Sequence, residues 1–451
     1  MKRFLSFRML ASIGAAMLAL SIATPSIQSQ GPADAETDLV ARSNGFAEEF
    51  CNQNSAFSQE NVTNSPNSPQ IPHEMVTPDP DDPTTQVDQC SFAAAAAEFG
   101  AIEDEAEGLG PIFNNDGCGT CHFTPALGGS SQITEKRAGF FDGLKFFDHP
   151  GGSLIQDRSL DPAQQEVVTD PRTNVFAFRS SLNVAGDGFV EAIGNSTLQG
   201  IANGQPLAIR GQVVNVDVAE KPGTRRIGRF GWKGQQASLV SFAADAYVNE
   251  MGITSPLQRD ENTSNGNRVG ARDTVPAGHP DDPAFTDNDG VDVELFALFM
   301  RSLPAPARDA KRAATAAAQA GSTIFDSIGC DNCHVRSITT VAPGTLINGG
   351  ALRVGNELGN KRIRPFSDFL LHDVATGDGI VQNGGPDSRN KLRTPPLWGL
   401  RLRGRFMHDG QSLTLTDAIR RHGNQGDFAR DAFNALSNTS KNNLLAFLNS
   451  L

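Results

Sequence analysis

The pentapeptide Cys-x-x-Cys-His occurs twice in this chain, at residues 118–122 and at residues 330–334. Cysteines three positions apart share one face of a helical turn, so their sulfurs can form thioethers with the two vinyl groups of one porphyrin. The histidine that follows presents an imidazole to the iron. This pattern is the attachment signature of c-type haem, and it predicts two covalently bound haem c groups. The residues expected to hold them are Cys118, Cys121, His122, Cys330, Cys333 and His334.

Redox dithiols and zinc sites are the two alternatives for a Cys-x-x-Cys pair. A redox dithiol has no need of the histidine that follows each pair here. Two pairs roughly 210 residues apart would also make an unusual zinc ribbon. Covalent haem is therefore the favoured interpretation, with His122 and His334 as the first ligand of each iron.

The first 29 residues have the layout of a secretory signal peptide. Met1–Arg8 is basic, Met9–Ala23 is apolar but too short to span a bilayer, and small polar residues follow as far as Ser29. We therefore expect a signal peptide over residues 1–29 and a periplasmic or secreted protein. Export agrees with the two motifs, because haem c is attached after export.

The two remaining cysteines, Cys51 and Cys90, stand at the ends of a stretch rich in Pro, Asn, Ser, Thr and Asp. This stretch has no hydrophobic periodicity and is typical of an irregular loop. An oxidising compartment favours a disulfide between the two cysteines. The alternative is a pair of free thiols near an access channel.

Composition excludes several classes of partner. The chain of 451 residues is 38% hydrophobic and 20% charged, which is ordinary for a soluble globular protein and long enough for two or three domains. No second apolar run is long enough to cross a membrane. The formal net charge of -13 argues against nucleic acid and anionic membrane surfaces as partners. We expect a small-molecule oxidant and a small redox protein, as electron donor or acceptor.

Prolines, glycines and polar stretches mark where helices and strands end, and they predict the organisation of the chain. Helices are expected at Asp38–Phe50, Ser91–Gly100 and Val291–Leu303, strands and loops over Gly128–Lys221, and a polar linker over Thr254–Pro283. The prolines after Leu303 suggest a domain boundary. The predicted parts are the signal peptide 1–29, an N-terminal extension 30–100 with the Cys51–Cys90 loop, a first domain 101–303 and a second domain 304–451.

Two blocks of sequence repeat between the halves of the chain. Pro111–Cys118 aligns without gaps on Thr323–Cys330, and Gly228-Arg229-Phe230 with its following residues aligns on Gly404-Arg405-Phe406. The blocks lie 36 residues further apart in the first half. The repeat predicts a mainly α fold with two cytochrome-c-like domains that face each other, and a β-containing insertion in the first.

The repeat also predicts that the two irons differ. Ser412–Arg421 is expected to be a helix capped by Thr414 or Thr416, and His422 follows it. The equivalent position in the first half is Ala246, beside Tyr247, and neither is a usual strong iron ligand. We therefore expect His422 to complete haem 2, while haem 1 stays open or weakly ligated. The rivals for His422 are Met407, His408 and His372.

Six motifs resemble the dihaem c-type oxidoreductases, peroxidase-like proteins also called thiol oxidoreductases. They are Leu109–Asn114, Gly228–Lys233, Met251–Thr254, Leu370–Asp373, Arg393–Leu400 and His408–Gly410. The similarity runs from about Leu109 to Leu451, and more distantly it extends to bacterial dihaem cytochrome c peroxidases. It implies an oxidoreductase that uses two haem groups.

The resemblance also implies roles for single residues. Trp232 matches a tryptophan that lies between the two haems and helps electrons pass, and Glu250 matches a distal glutamate that moves a proton between peroxide oxygens. His422 matches the distal ligand of the C-terminal haem. Asn183 weakly resembles an asparagine that binds interdomain calcium. Arg393 and His408 are expected to serve haem propionates or the domain interface.

Two departures from the peroxidases stand out. Phe242 occupies the position of their distal glutamine, and His149 is the sole histidine between His122 and Trp232, so no histidine fits their switchable distal loop.

The sequence thus favours an exported enzyme that reduces or activates peroxide or dioxygen at haem 1, under Tyr247 and Glu250, with electrons exchanged through haem 2. The alternative is a non-catalytic dihaem electron-transfer cytochrome. A third hypothesis, thiol oxidation by Cys51 and Cys90, has no activating residue beside those cysteines.

Overall fold

The computed structural model describes residues 42–56, 75–76, 87–88, 90–269 and 291–451. Residues Leu39–Leu451 form one compact unit. The expected signal peptide at 1–29, most of the loop between Cys51 and Cys90, and the second half of the polar stretch at 254–283 lie outside the described residues. Within the part described, no helix combines the length and the apolar character needed to cross a membrane.

The helices are short and are spread along the whole unit. They are α1 (Phe46–Ala56), α2 (Phe92–Gly100), α3 (Cys118–Cys121), α4 (Asp187–Glu191), α5 (Asn195–Gly204), α6 (Leu239–Ala246), α7 (Val291–Ser302), α8 (Ala310–Ala313), α9 (Ala316–Ser327), α10 (Leu415–Arg420), α11 (Asp427–Ala435) and α12 (Asn438–Leu448). A π-helical turn, Tyr247–Met251, continues α6.

The strands are mostly two or three residues long. They are β1 (Met75–Val76), β2 (Val87–Asp88), β3 (Ile112–Phe113), β4 (Thr134–Phe141), β5 (Phe146–Asp148), β6 (Leu154–Ile155), β7 (Arg158–Ser159), β8 (Val175–Ser180), β9 (Asn215–Asp217), β10 (Arg225–Ile227), β11 (Thr263–Ser264), β12 (Asn267–Arg268), β13 (Ile338–Thr339), β14 (Leu346–Ile347), β15 (Leu352–Arg353), β16 (Arg362–Ile363), β17 (Leu371–His372) and β18 (Leu392–Arg393).

One sheet dominates the predicted insertion. Its long strand β4 pairs antiparallel with β8 on one edge and with β5 and β6 on the other. The strands expected over 128–221 are therefore present, but α4 and α5 occur in the same stretch and were not predicted. The described residues combine helices with many small sheets, so the expectation of a mainly α chain was too simple.

Two large hydrophobic clusters contain most of the core of the described residues. The larger one packs α2 against α7 through Phe99, Phe296 and Phe299, and it also takes in residues beyond 304 such as Ile338 and Trp398. The smaller one packs α9 against α12 through Phe325 and Phe447, whose rings meet edge to face at 5.3 Å between centroids. Each cluster borders one of the two haem-motif histidines, because Phe99 contacts the ring of His122 and Phe325 contacts that of His334.

A disulfide between Cys51 and Cys90 ties α1 to the start of α2. The predicted pairing is confirmed, and the alternative of two free thiols is wrong. Ser91, directly after Cys90, caps α2 because its side chain accepts a hydrogen bond from the N–H of Ala94. The predicted helices 91–100 and 291–303 are thus present as α2 and α7.

The second repeated block has the same structure in both halves. Phe230 bridges to Gln236 and Ser238 caps α6, while Phe406 bridges to Ser412 and Thr414 caps α10 at the same spacing. The first block does not repeat in structure: residues 112–113 form β3, whereas residues 324–325 lie inside α9. Gly110 and Pro111 explain the difference, since Gly110 has a φ of 91° and proline disfavours a helix interior.

Candidate haem-binding and active site

Each Cys-x-x-Cys-His motif opens onto its own cavity. The first cavity measures 640 Å³ and its wall includes Cys118, Cys121 and His122. The second measures 190 Å³ and its wall includes Cys330, Cys333 and His334. The structure therefore brings each pair of cysteines together with its own histidine, at two separate sites.

Backbone geometry fixes the orientation of both histidines. His122 Nδ1 lies 3.1 Å from the carbonyl oxygen of Gly129, and His334 Nδ1 lies 2.9 Å from that of Phe366. A carbonyl accepts only from an N–H, so Nδ1 carries the proton and Nε2 keeps its lone pair for a metal. Burial lowers the pKa of His122, and burial together with the nearby His422 lowers the pKa of His334 to about 4. Both rings are neutral at pH 7, as iron ligation requires.

His422 faces His334 across the second cavity. Their ring centroids are 6.5 Å apart. One metal ion bound by two imidazole nitrogens at about 2 Å each would separate the ring centroids by roughly 6 to 6.5 Å. His422 Nδ1 is engaged by the carbonyl oxygen of Ala418 at 2.8 Å, which again leaves Nε2 free. The donor set of this cavity thus fits a haem iron held by two histidines.

The other histidines considered as ligands of the second iron have both ring nitrogens engaged. His408 has both ring nitrogens against carbonyl oxygens, those of Phe178 and Thr376. His372 has Nε2 2.8 Å from an oxygen of Asp368 and Nδ1 3.8 Å from the sulfur of Cys333. Neither ring has a free nitrogen for iron. Met407 lines the second cavity and remains the other candidate.

Ala246 lines the first cavity at the repeat position of His422. Its methyl group takes the place of an imidazole. Among the described residues that line this cavity, His122 is the sole histidine, while Met251 and Met300 contribute thioethers. His149, the histidine between His122 and Trp232, lies elsewhere with its Nε2 3.0 Å from Asn265.

Trp232 and Arg393 belong to the walls of both cavities. Trp232 donates its indole N–H to the carbonyl oxygen of Ser180 at 2.8 Å, and its ring meets that of His408 edge to face. Arg393 donates its backbone N–H to the carbonyl oxygen of Trp232 and its Nε to that of Gly231. Hydrogen bonds to the end of β8 and to β18 therefore hold Trp232 in place between the two cavities.

Two arginine side chains on the cavity walls suit a cofactor that carries carboxylates. Burial lowers the pKa of Arg393, and that of Arg403, only to about 10, so both guanidinium groups remain charged at neutral pH. Arg403 lines the second cavity, and its Nε has no hydrogen-bond partner within the described part of the chain. On the wall of the first cavity Asn183 Oδ1 also has no partner among the described residues, but this atom is an acceptor and suits a donor or a cation. Sequence analysis missed Arg403, which no motif marks.

Glu250 lies on the wall of the first cavity, whereas Tyr247 does not. Both residues belong to the π-helical turn but lie on different sides of it, Glu250 toward the cavity and Tyr247 in the core. Tyr247 donates its hydroxyl to Asp292 at 3.2 Å. Asn114 donates to Glu250 Oε2 at 2.7 Å. Burial, and next the charge of Glu135, raise the pKa of Glu250 to about 8.

The inserted sheet supplies charged residues that sequence analysis did not single out. Glu135 and Arg137 on β4 and Arg179 on β8 all line the first cavity. The register pairs Glu135 directly with Arg179, so both side chains point to the same face. The run of charged residues Glu135-Lys136-Arg137 in β4, whose first and third members share a face of the strand, is the signal that could have identified this face. Phe242, at the expected glutamine position, also lines the cavity and stacks on Phe230 at 5.9 Å.

Residues 162–451 match the family described as "Di-haem oxidoreductase, putative peroxidase". The match covers more than half of the 451 residues and includes the second haem motif, Trp232 and Glu250. The chain belongs to this family. It is accordingly a peroxidase-like dihaem oxidoreductase, and the haem requirement agrees with the donor sets of the two cavities.

Solved structures show only distant likeness. Hydrazine synthase of Kuenenia stuttgartiensis is 15% identical with a TM-score of 0.38, and the match covers 97% of this chain and 100% of that one. The diheme peroxidase BthA of Burkholderia thailandensis E264 is 18% identical with a TM-score of 0.36, covering 84% and 89%. A MauG-like protein associated with microbial copper homeostasis is 20% identical with a TM-score of 0.24, covering 38% and 54%. Among curated proteins none matches.

Proposed function

We propose that the protein is an exported dihaem c-type enzyme that reduces or activates peroxide or dioxygen at haem 1 and exchanges electrons through haem 2. Cys118, Cys121 and His122 would attach haem 1, and the corresponding residues 330, 333 and 334 would attach haem 2. The two haem units correspond to residues 101–303 and 304–451. When bound, the haems supply one-electron redox chemistry and, at haem 1, a position for a small oxidant.

One observation carries this proposal: the two cavities differ at matching positions of the repeat. The second cavity has His422 6.5 Å from His334, measured between ring centroids, whereas the first has the methyl group of Ala246. A histidine-saturated iron suits electron transfer, and an iron without a second histidine suits binding of a small molecule. The difference assigns chemistry to the first cavity.

The side chains around the first cavity can serve a peroxide or dioxygen ligand. Glu250, with a pKa raised to about 8, carries a proton at neutral pH and can deliver it to an oxygen atom in the cavity. Phe242 and Phe230 stack on each other and form an apolar part of the wall. Trp232 lies between the two cavities and offers a π system for electrons that pass between the sites. Tyr247, whose hydroxyl is engaged by Asp292, is given a structural role.

Electron paramagnetic resonance of the oxidised protein tests the proposal directly. We expect one high-spin and one low-spin ferric signal in equal amounts, and carbon monoxide binding to half of the reduced haem. Pyridine haemochrome should report two haems per chain that acid-acetone leaves on the protein. Two low-spin signals without carbon monoxide binding would eliminate the enzyme hypothesis for haem 1.

A dihaem electron-transfer cytochrome is the second candidate. Met251 and Met300 line the first cavity, and a methionine thioether is a usual sixth ligand of c-type haem. If either sulfur binds the iron, the ferric protein has a sulfur-to-iron absorption band in the near infrared, which Met251→Leu or Met300→Leu abolishes. The catalytic proposal requires this band to be absent.

Calcium is a further part of the proposal. The buried Oδ1 of Asn183, without a partner in the described residues, is a hard oxygen donor of the kind that Ca²⁺ prefers. Removal of calcium with a chelator should change the haem 1 spectrum, and Asn183→Leu should make the protein insensitive to the chelator. An unchanged spectrum after exhaustive chelation contradicts a calcium site.

A further inference from the structure

We propose that Tyr247 holds one oxidising equivalent from the first cavity as a neutral tyrosyl radical, with Asp292 as the acceptor of its proton. The proposal rests on the function proposed above, in which the first cavity takes peroxide as an oxidant. It adds a redox role to the structural role of Tyr247. The side chain stores the equivalent until an electron arrives from the donor that serves haem 2.

Tyr247 lies one aromatic ring behind the wall of the first cavity. Phe99 and Phe296 both line this cavity, and the ring of Tyr247 meets that of Phe296 edge to face at 5.1 Å between centroids. Phe296 in turn lies 6.2 Å from Phe99, whose ring is 6.0 Å from that of His122. Electron tunnelling weakens with distance, so this short and closely packed path favours exchange between the phenol and the cavity.

The phenol hydroxyl has a base as its partner. Tyr247 donates to Oδ2 of Asp292 at 3.2 Å. Asp292 lies in the first turn of α7, where the positive end of the helix dipole favours an ionised carboxylate. Burial, and next the charge of Asp292, raise the pKa of Glu103 to about 8, so Glu103 is protonated at neutral pH and the negative charge stays on Asp292. Asp292 can therefore accept the phenol proton.

Burial makes this proton acceptor necessary. Tyr247 is 2% exposed, and a phenol that lost only an electron would leave a positive charge in the core. In the balanced step the O–H bond of Tyr247 breaks, its electron reduces the oxidised site in the first cavity, and its proton binds Asp292. The products are a neutral radical and a neutral carboxylic acid. One electron from the donor and the same proton later restore the phenol.

The other readily oxidised aromatic side chains lack such a base. The sequence contains one tyrosine and two tryptophans. Trp232 donates its indole N–H to the carbonyl oxygen of Ser180, which does not take up a proton. The indole N–H of Trp398 has no hydrogen-bond partner among the described residues. Trp232 thus suits the passage of an electron between the cavities, whereas Tyr247 suits retention of the oxidised state.

Freeze-quench electron paramagnetic resonance of the holoprotein after addition of hydrogen peroxide tests the proposal. We expect a narrow organic-radical signal whose hyperfine splitting changes when the protein is produced with ring-deuterated tyrosine. This label is specific, because Tyr247 is the sole tyrosine of the sequence. Tyr247→Phe should abolish the signal. Asp292→Asn should lower its yield, because an amide does not take up the proton.

Two phenylalanine variants test the path to the cavity. Phe296→Leu should slow the appearance of the radical, because the ring between Tyr247 and the cavity is removed. Phe299→Leu is the matched control, since Phe299 is equally buried in α7 but packs on Phe92 and Phe99 instead. It should leave the rate of radical formation unchanged. Equal rates in the two variants would contradict the aromatic path.

The haem absorption of the same samples separates this proposal from the proposed function. A change of the Soret band with peroxide but no tyrosine-dependent radical overturns the radical proposal and leaves the proposed function standing. A radical that survives Tyr247→Phe, or that does not respond to the tyrosine label, belongs to another side chain and also overturns it. No Soret change and no radical would overturn the proposed function, and the radical proposal with it.

Discussion

At the scale of single residues, His422 distinguishes the two sites. Its ring faces His334 with Nε2 free, while His408 and His372 have both nitrogens engaged. The sequence ranked these histidines only through the repeat. Contacts with carbonyl and carboxylate oxygens now give a physical reason to prefer His422.

We predict that His422→Gly converts the low-spin signal of haem 2 to a high-spin signal. The reason is the loss of one of the two imidazoles that face each other across the second cavity with Nε2 free. Electron paramagnetic resonance measures the change, and His149→Gln, at a histidine that lines neither cavity, serves as control with an unchanged spectrum. Should the low-spin signal survive in His422→Gly, the sixth ligand is another residue, with Met407 first in line.

Glu250 and Tyr247 were both expected at the oxidant-binding side of haem 1. In the structure Glu250 lines the first cavity and Tyr247 does not. Glu250→Gln should slow the reaction of the holoprotein with hydrogen peroxide about a hundredfold or more, the usual scale for loss of a positioned acid-base group. Stopped-flow spectroscopy gives the rate. Tyr247→Phe should react at the parental rate and lose about 1 kcal/mol of stability with its hydrogen bond to Asp292. Equal rates for both variants would refute the role of Glu250.

At the scale of elements, the disulfide between Cys51 and Cys90 closes a long loop. Its sequence separation is 39 residues, so the double variant Cys51→Ser/Cys90→Ser should lose about 4 kcal/mol through the added freedom of the unfolded chain. Urea unfolding measures the loss. Both haem spectra should stay as they are, since the bridge joins α1 to the start of α2 and lies apart from both cavities.

The helices α6 and α10 illustrate how one local pattern leads to two sites. Each helix follows a β-bridge that involves a phenylalanine, and a hydroxyl side chain caps its first turn. In both halves, the residue eight positions after the cap lines a cavity. From there α6 continues into the π-helical turn that carries Glu250, while α10 ends near His422. The cap is predictable from sequence because it depends on neighbouring residues. A π-helical turn depends on packing around it and has no comparable local signal.

At the scale of the whole molecule, a buried ionic cluster connects the two haem regions. Asp378 binds Arg179 at the end of the inserted sheet and Lys233 beside Trp232. Asp378→Asn should cost about 3 to 5 kcal/mol, because two buried cations lose their partner. Chemical unfolding provides the measurement. Asp170→Asn, which breaks the exposed pair with Arg172, should leave the free energy of unfolding nearly unchanged, because solvent screens that pair. Similar losses in the two variants would contradict a structural role of the cluster.

Trp232 gives the corresponding functional prediction. Because its indole lies in the wall shared by the cavities, Trp232→Phe should slow electron exchange between the haems while both remain bound. Flash photolysis of the mixed-valence carbon monoxide complex measures this rate. Trp398→Phe is the matched control, since Trp398 is buried in the larger core and lines neither cavity. An unchanged rate in Trp232→Phe would assign the indole to packing alone.

The sequence by itself determined the features that depend on short stretches of chain. The two haem motifs, the capped helices α2 and α10, and the family itself follow from residues that are neighbours in sequence, because helical turns and caps are local structures. The disulfide followed from cysteine count and compartment.

Tertiary structure alone decided which distant residues meet. The strand β4 brings Glu135 to the wall of the first cavity, which Glu250 also lines although it is 115 positions away in sequence, and Arg403 reaches the second cavity without any motif. The repeat likewise predicted equal structure before both haem motifs, yet one block is a strand and the other a helix. Long-range packing and charge pairing select such contacts, and no short sequence window contains both partners.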